Sequence, residues 1–316
     1  MSLLIDMLMQ RRPELKDVQT PINLVVIKAA DDEVLACIEQ AVKEKRVYAY
    51  LLDNQEKLHE KLKAFAIDEA YYQIIPTQDD QEAAFKGIEL VRQGKGDAIL
   101  KGHIPTGKVL KEVVNKETGI RKADVLSHVA VLSMPSLEKL IAVTDGGLIL
   151  QPDKPTSRVI IENAVEVMTA LHVDHPKVSL LSAAENIIPK LPSSVMESEL
   201  AMEYQESKDF SVEGPLSIDL SLSKESANEK EYQGDIQGDA DILFAPDIVT
   251  GNIMSKALTL FGGSEMAGLI MGASVPVIIT SRSSSFEEKY ASILLSQIIM
   301  THERVGGVHN DNNIGN

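Results

Sequence analysis

Short apolar runs rich in β-branched residues alternate with amphipathic stretches along nearly the whole chain. In the first half, residues 24–29, 47–52, 71–75, 97–101 and 139–144 read as strands of the length and apolarity that a sheet buried on both faces requires. Asp31 heads a stretch with Val34, Leu35, Ile38 and Val42 at helical spacing. Asp79 and Asp80 open another with Ala83, Ala84, Ile88 and Val91, which Gly94 closes, and a further helix is expected from Thr106. The second half keeps the rhythm. Helices are predicted over 156–172, 193–207, after Thr250 and over 285–301; strands are predicted over 178–182, 209–214, 241–245, 267–271 and 275–280. Strands alternating with helices predict an α/β protein built on doubly wound parallel sheets. The densest mid-chain turn signals, Asp145–Gly146–Gly147 and Gln151–Pro152–Asp153, suggest a hinge between two domains. The polar tail over 306–316 reads as frayed.

Composition narrows the function classes. The chain has 316 residues, enough for about two domains, and is 44% hydrophobic. With 31 Lys and Arg against 47 Asp and Glu, the net charge is −16. That balance argues against a nucleic-acid partner, because phosphate-backbone affinity needs clustered cations. It does not exclude a phosphorylated small molecule held by a few basic groups. No run reaches the roughly 18 apolar residues of a membrane span, and residues 1–13 lack the apolar core of a secretory leader, so a cytoplasmic location is expected. Cys37 is the single cysteine, which removes intrachain disulfides and multi-cysteine metal sites; it falls on the face of Val34 and Ile38 and reads as a buried small hydrophobe. No metal site is expected, and His172-x-Asp174–His175 fits a solvated turn better than a ligand set.

Ligands of open parallel sheets bind beyond the carboxyl ends of the strands. The segments that follow the predicted strands are therefore the candidates: 101–106, 144–147, 182–186, 246–252 and 280–282. Gly102-x-x-x-x-Gly107–Lys108 matches a phosphate-cradling loop except at its end, where Val109 replaces the hydroxyl residue, and Pro105 removes one N–H donor. His103 and His128 each adjoin a polar turn. Ser281–Arg282 is the sharpest pair, at the end of an apolar run and before a helix that starts with Glu287 and Glu288. Spacing alone favours ordinary helix capping. The functional alternative has Arg282 gripping a phosphate beside a carboxylate base.

Taken in order, these segments resemble the phosphate acyltransferases, the family of phosphate acetyltransferase and phosphate butyryltransferase. The matching pieces are Lys101–Gly102 with Thr106, Gly119–Ile120–Arg121, Ser127–His128–Val129, Thr144–Asp145–Gly146, Ser182-x-x-Glu185–Asn186, Pro189–Lys190, Gly214–Pro215–Leu216 with Asp219, Ala240–Asp241, Asp247-x-x-x-Gly251–Asn252, and Pro276 leading to Ser281–Arg282. They span about residues 95–300, and several are closer to the butyryl branch than to the acetyl branch. Two positions depart from the pattern: Glu213 stands in place of the usual Asp, and Glu288 stands where the acetyl enzymes carry an Asp credited with deprotonating coenzyme A. The resemblance implies two α/β domains with a cleft between them, as in the isocitrate and isopropylmalate dehydrogenases, divided as 1–145 plus 275–316 and 146–274. It implies the reaction butyryl-CoA plus phosphate to butyryl phosphate plus coenzyme A, with no acyl-enzyme. Ser281, Arg282 and Glu288 would be catalytic, and Lys101, Thr106, Arg121 and Asn252 would bind substrate. Coenzyme A would be a substrate and no cofactor tightly bound. A homodimer is implied, with residues 249–261 a candidate contact helix. A phosphate acetyltransferase, and a nucleotide-binding protein using Gly102 to Lys108, are the alternatives.

Overall fold

The computed structural model describes residues 2–17, 21–281 and 284–310. Among the described residues eleven strands are formed: β1 (Ile22–Ile27), β2 (Val47–Asp53), β3 (Tyr72–Pro76), β4 (Ala98–Lys101), β5 (Ser127–Met134), β6 (Lys139–Thr144), β7 (Lys177–Leu181), β8 (Ser211–Leu216), β9 (Ile242–Phe244), β10 (Met266–Met271) and β11 (Val277–Ile278). The chain divides into two compact units, Met1–Asp124 with Ala267–Asn316, and Val125–Met266.

In the first unit the strand order is β3-β2-β1-β4-β11-β10. β1 runs parallel to β2 and β4, with Ile27 opposite Leu52 on one side and Lys101 on the other. β3 runs parallel to β2 and β11 to β4, so five strands deliver their carboxyl ends to one edge. β10 runs against them, because residues 272–276 are too short to hold the crossover that a parallel neighbour needs. Two helices form where the apolar spacing predicts, and Leu3–Arg11 and Gln55–Leu62 form where no helix was expected. Asp31 caps Asp32–Lys43 by accepting the Val34 N–H, and Asp79 caps Asp80–Arg92 by accepting the Glu82 N–H. Gly87 lets the second of these approach β1: a Cβ there would lie 2.8 Å from Ile27. The last helix, Phe286–Asn310, lies against β4, β11 and Asp32–Lys43 and continues well past the expected end at 301. Residues 311–316 of the expected frayed tail lie outside the described residues.

The second unit has the order β5-β6-β9-β7-β8. Here β6, β9, β7 and β8 are parallel and β5 pairs antiparallel with β6 through a tight turn in which Glu138 takes a φ of 50°. That hairpin explains why the unit begins at Val125 and not near 146. β5 and β6 hydrogen-bond to each other and β6 to β9, so the Asp145 turn is internal to the second unit. The second boundary falls at 266–267, not 274–275. The all-parallel expectation therefore fails at one pair in each unit. Leu132, Ile141, Val143, Leu216, Leu220 and Leu243 form the core beneath these strands. Glu213 accepts hydrogen bonds from the Tyr232 hydroxyl and from the Asp235 and Ile236 N–H groups, so it organises the 232–236 loop.

Candidate active site

At the carboxyl edge of the first unit, the chain leaves β4 through Lys101, Gly102 and His103. The Gly102 and His103 N–H groups donate to the Ile27 and Lys28 carbonyls at 2.8 and 3.0 Å. The turn hugs β1 so closely that a Cβ on Gly102 would stand 2.1 Å from the Lys28 carbonyl oxygen. Lys101 is buried, 7% exposed, and its Nζ donates to the Gly102 and Ile104 carbonyls, both at 3.1 Å. A buried ammonium held by carbonyl dipoles is a fixed positive charge at the strand end.

Lys101 lines a cavity of about 480 Å³ together with Thr280 and Ser281 from the segment that follows β11, His103, and Asp31–Glu33 at the start of the first β–α helix. Three more lysines border it. Lys289 is buried and pairs with Glu33 at 2.7 Å, and its Nζ also donates to the Ser284 carbonyl. Lys61 pairs with Asp32 at 2.5 Å, and Lys57 lies on the same helix as Lys61. The cavity thus mixes cations with helix-start carboxylates, a setting suited to a phosphorylated and partly polar ligand.

The sequence-derived candidates distribute unevenly around this cavity. Lys101 and Ser281 both line it. Arg282 lies outside the described residues. Glu288 is not on the wall. Its carboxylate accepts a hydrogen bond from Ser284 Oγ at 2.6 Å, and its N–H donates to Ser285 Oγ at 3.2 Å, which is a helix-start cap. Burial pushes the Glu288 carboxyl above its ordinary pKa, against smaller lowering by Ser284 and Lys289. Thr106 is the first residue of the helix Thr106–Val113 and does not line the cavity. Arg121 is also off its wall; its side chain is exposed and donates to the Asp124 carbonyl at 3.5 Å. The phosphate-cradle alternative fails here: the Gly102 and His103 N–H groups are spent on the sheet, the Ile104 N–H on Gly102, and Lys108 on Asp80 at 2.9 Å.

Asn252 belongs to the second unit, at that unit's own strand edge. Its side-chain amide donates to the Gly146 carbonyl at 3.0 Å. Gly146 and Gly251 touch backbone to backbone: a Cβ on Gly146 would meet the Gly251 carbonyl carbon at 2.7 Å. Asp145, 3% exposed, is the organiser. Its Oδ1 accepts the Gly147 and Leu148 N–H groups at 2.7 and 2.8 Å, and its Oδ2 accepts the His128 N–H at 2.8 Å. Three backbone donors satisfy the buried carboxylate without a cation. Among the described residues no group of three His, Cys, Asp or Glu side chains is arranged to hold a metal ion, and no helix is long and apolar enough to cross a membrane.

Sequence reasoning did not single out Lys289, Lys57 or Asp145 as site residues. The Thr144–Asp145–Gly146 turn was a visible signal, but the buried carboxylate's bond to His128 depends on strand pairing across 17 residues.

The family model described as "Phosphate acetyl/butaryl transferase" matches residues 76–297. A phosphate butyryltransferase of Clostridium beijerinckii is 34% identical over 292 residues, which is 92% of this chain and 96% of that protein. The crystal structure of a branched-chain phosphotransacylase from Enterococcus faecalis superposes with a TM-score of 0.80 at 35% identity, covering 88% of this chain and 99% of that one. At 12% identity, a 4-hydroxythreonine-4-phosphate dehydrogenase from Klebsiella pneumoniae shares the fold with a TM-score of 0.53, covering 89% of this chain and 100% of that one. The chain belongs to the phosphate acetyl/butyryl transferase family of acyltransferases.

Proposed function

We propose that the chain catalyses the reversible reaction of butyryl-CoA with inorganic phosphate to give butyryl phosphate and coenzyme A. The observation that carries this reading is the joining of Lys101 and Ser281 with Lys289 in one cavity at a parallel-strand edge, within a chain that spans nearly the full length of a phosphate butyryltransferase. The chemistry follows from the parts. A coenzyme A thiol has a pKa of about 8.5, so only a few per cent is thiolate at neutral pH. Glu288 takes the thiol proton; a carboxylate made more basic by burial suits that task. The sulfur attacks the acyl phosphate carbonyl directly, and the C–O bond to phosphate breaks with no acyl-enzyme. The Ser281 hydroxyl donates to the carbonyl oxygen as charge develops there, and Arg282 grips the phosphate bidentately. The family resemblance assigns Lys101, Thr106, Arg121 and Asn252 to substrate binding, and of these Lys101 lines the cavity. Coenzyme A is a substrate, and no cofactor stays tightly bound.

The finer fold reading is the two-domain arrangement of the isocitrate and isopropylmalate dehydrogenases. A cytoplasmic homodimer completes the reading. The helix Ile248–Leu260 supports the dimer. Val249, Ile253, Leu260 and the adjoining Phe261 are 60%, 61%, 73% and 88% exposed. Residues 248–261 include no Asp or Glu in a chain of net charge −16, and Lys256 is their one charged residue, so two copies meet there without carboxylate repulsion. A second reading, phosphate acetyltransferase, is favoured by the family description, which names both acyl groups. Each methylene is worth only about 1–3 kcal/mol in an apolar pocket. Rates of phosphate-dependent thiol release from acetyl-, propionyl-, butyryl- and branched acyl-CoA decide between the two. The highest kcat/KM on butyryl-CoA supports the first reading, and the highest on acetyl-CoA the second.

A further inference from the structure

Ser284 is a junction in the loop that joins β11 to the last helix. It is 4% exposed. Its N–H donates to the Ser281 carbonyl at 3.2 Å, its Oγ donates to Glu288 Oε1 at 2.6 Å, and its carbonyl accepts from Lys289 Nζ. The first two bonds reach a residue of the cavity wall and the carboxylate assigned as base. The third leads out of the loop. The same ammonium pairs with Glu33 Oε2 at 2.7 Å, at the start of the helix Asp32–Lys43.

Nothing in helix formation calls for this cation. Lys289 is in the first turn of the helix Phe286–Asn310, where the macrodipole disfavours positive charge. It is 5% exposed, so its ammonium also gives up most of its water. The Glu33 side chain is 59% exposed and needs no such partner, because solvent serves a surface carboxylate. A helical side chain leans back over the preceding turn, which brings Nζ to the Ser284 carbonyl. The charge stands against its own helix, and what it secures is the loop.

We infer that Lys289 is a positioning residue for acyl transfer: anchored by Glu33, it fixes Ser284 and thereby the places of Ser281 and Glu288. This rests on the acyl-transfer reading with Glu288 as base. A backbone carbonyl held by a buried ammonium cannot swing without breaking a charge-assisted hydrogen bond. With the carbonyl fixed, the Ser284 hydroxyl stays aimed at Glu288. Glu33 and Lys289 both line the cavity, so the clamp closes on the wall that Ser281 shares. The same groups act on the base electrostatically. Burial raises the Glu288 carboxyl, and the Ser284 hydrogen bond and the Lys289 charge lower it.

The test assays Lys289→Met, which keeps the stem and removes the charge, with Ser284→Ala, the double variant and Glu33→Gln, all on butyryl-CoA and phosphate. Lys289→Met should lower kcat ~10–100-fold with the KM for butyryl-CoA changed less than about threefold. The low-pH limb of its kcat profile should move to higher pH, because a carboxyl that loses a neighbouring cation ionises later. Lost packing alone would not move that limb. Ser284→Ala should move it the same way. The double variant should be no more than about threefold slower than the slower single one, since both act through one junction. Glu33→Gln changes an exposed side chain and should slow turnover about 3–10-fold. Wild-type kcat and pH limb in Lys289→Met overturn the inference, as does wild-type kcat in Glu33→Gln should Lys289→Met not fold. Losses that multiply in the double variant overturn it too. Glu288→Gln is measured first: at wild-type speed it removes the base and this inference with it, and when slowed it leaves the base in place whatever Lys289→Met does.

Discussion

Ser284 Oγ donates to Glu288 Oε1 at 2.6 Å, so the carboxylate assigned as base is tethered to the loop that leads into its own helix. The bond holds one oxygen and lowers the carboxyl pKa, but burial raises it more. Glu288→Gln retains size and cannot accept a proton. Turnover should fall ~10²–10⁴-fold with phosphate KM little changed. The deficit should narrow as pH rises towards the thiol pKa of about 8.5, where solvent alone supplies thiolate. Matching pH–rate profiles for wild type and variant would remove Glu288 from the mechanism and leave it as a capping residue.

Glu197 makes a stability prediction independent of activity. It is 0% exposed on the helix Pro192–Glu203, and neither of its carboxyl oxygens has a hydrogen-bond partner. Burial raises its pKa from 4.5 to about 7. The folded state therefore holds the proton more tightly than the unfolded state. The stabilisation is fully present below pH 4.5 and is lost as pH rises to about 7, with a ceiling of about 3 kcal/mol. Glu197→Gln should flatten that slope. Urea unfolding at pH 5, 6, 7 and 8 checks this, and parallel slopes for the two proteins would contradict it.

Gly102 tests the strand-edge geometry. In Gly102→Ala the new methyl carbon would sit 2.1 Å from a backbone carbonyl oxygen, a contact no side-chain rotation relieves. The substitution should cost about 1–3 kcal/mol of stability and disturb the Lys101 turn. Thermal unfolding unchanged within a degree would show that the turn does not approach β1 so closely.

Cys37 bears on whether an acyl-enzyme forms. The thiol is buried, its Sγ lies 3.6 Å from the Phe286 carbonyl oxygen, and burial pushes its pKa up to about 12. Such a thiol supplies almost no thiolate at neutral pH. Cys37→Ala should leave turnover within about threefold of wild type, with a small loss of stability. An acyl adduct found on any residue by mass spectrometry after a quench would contradict direct transfer.

Much of this fold is legible because its cues are local. Asp31 and Asp79 cap helices where their spacing to Val34 and Ile88 predicts, and β6 matches residues 139–144. β5 is not legible: it follows the turn-rich stretch 115–126, and its first residues, Ser127 and His128, are polar because they line a strand edge. The antiparallel pairs are set by connection lengths that the periodicity does not report. The site shows the same division. Lys101 and Ser281 are readable as residues that end strands. Lys289 is not, because its meaning comes from Glu33, 256 positions away. Thr106 and Arg121 carry the right chemistry in the right order, yet the wall of the cavity is made by other residues.

The central claim is that phosphate accepts the acyl group from coenzyme A. Purified protein is mixed with butyryl-CoA, and free thiol is followed with and without phosphate, each in the presence of a chelator. The account predicts thiol release that requires phosphate, is unaffected by the chelator and yields butyryl phosphate in equal amount. Thiol release at the same rate without phosphate, giving butyrate, would contradict it.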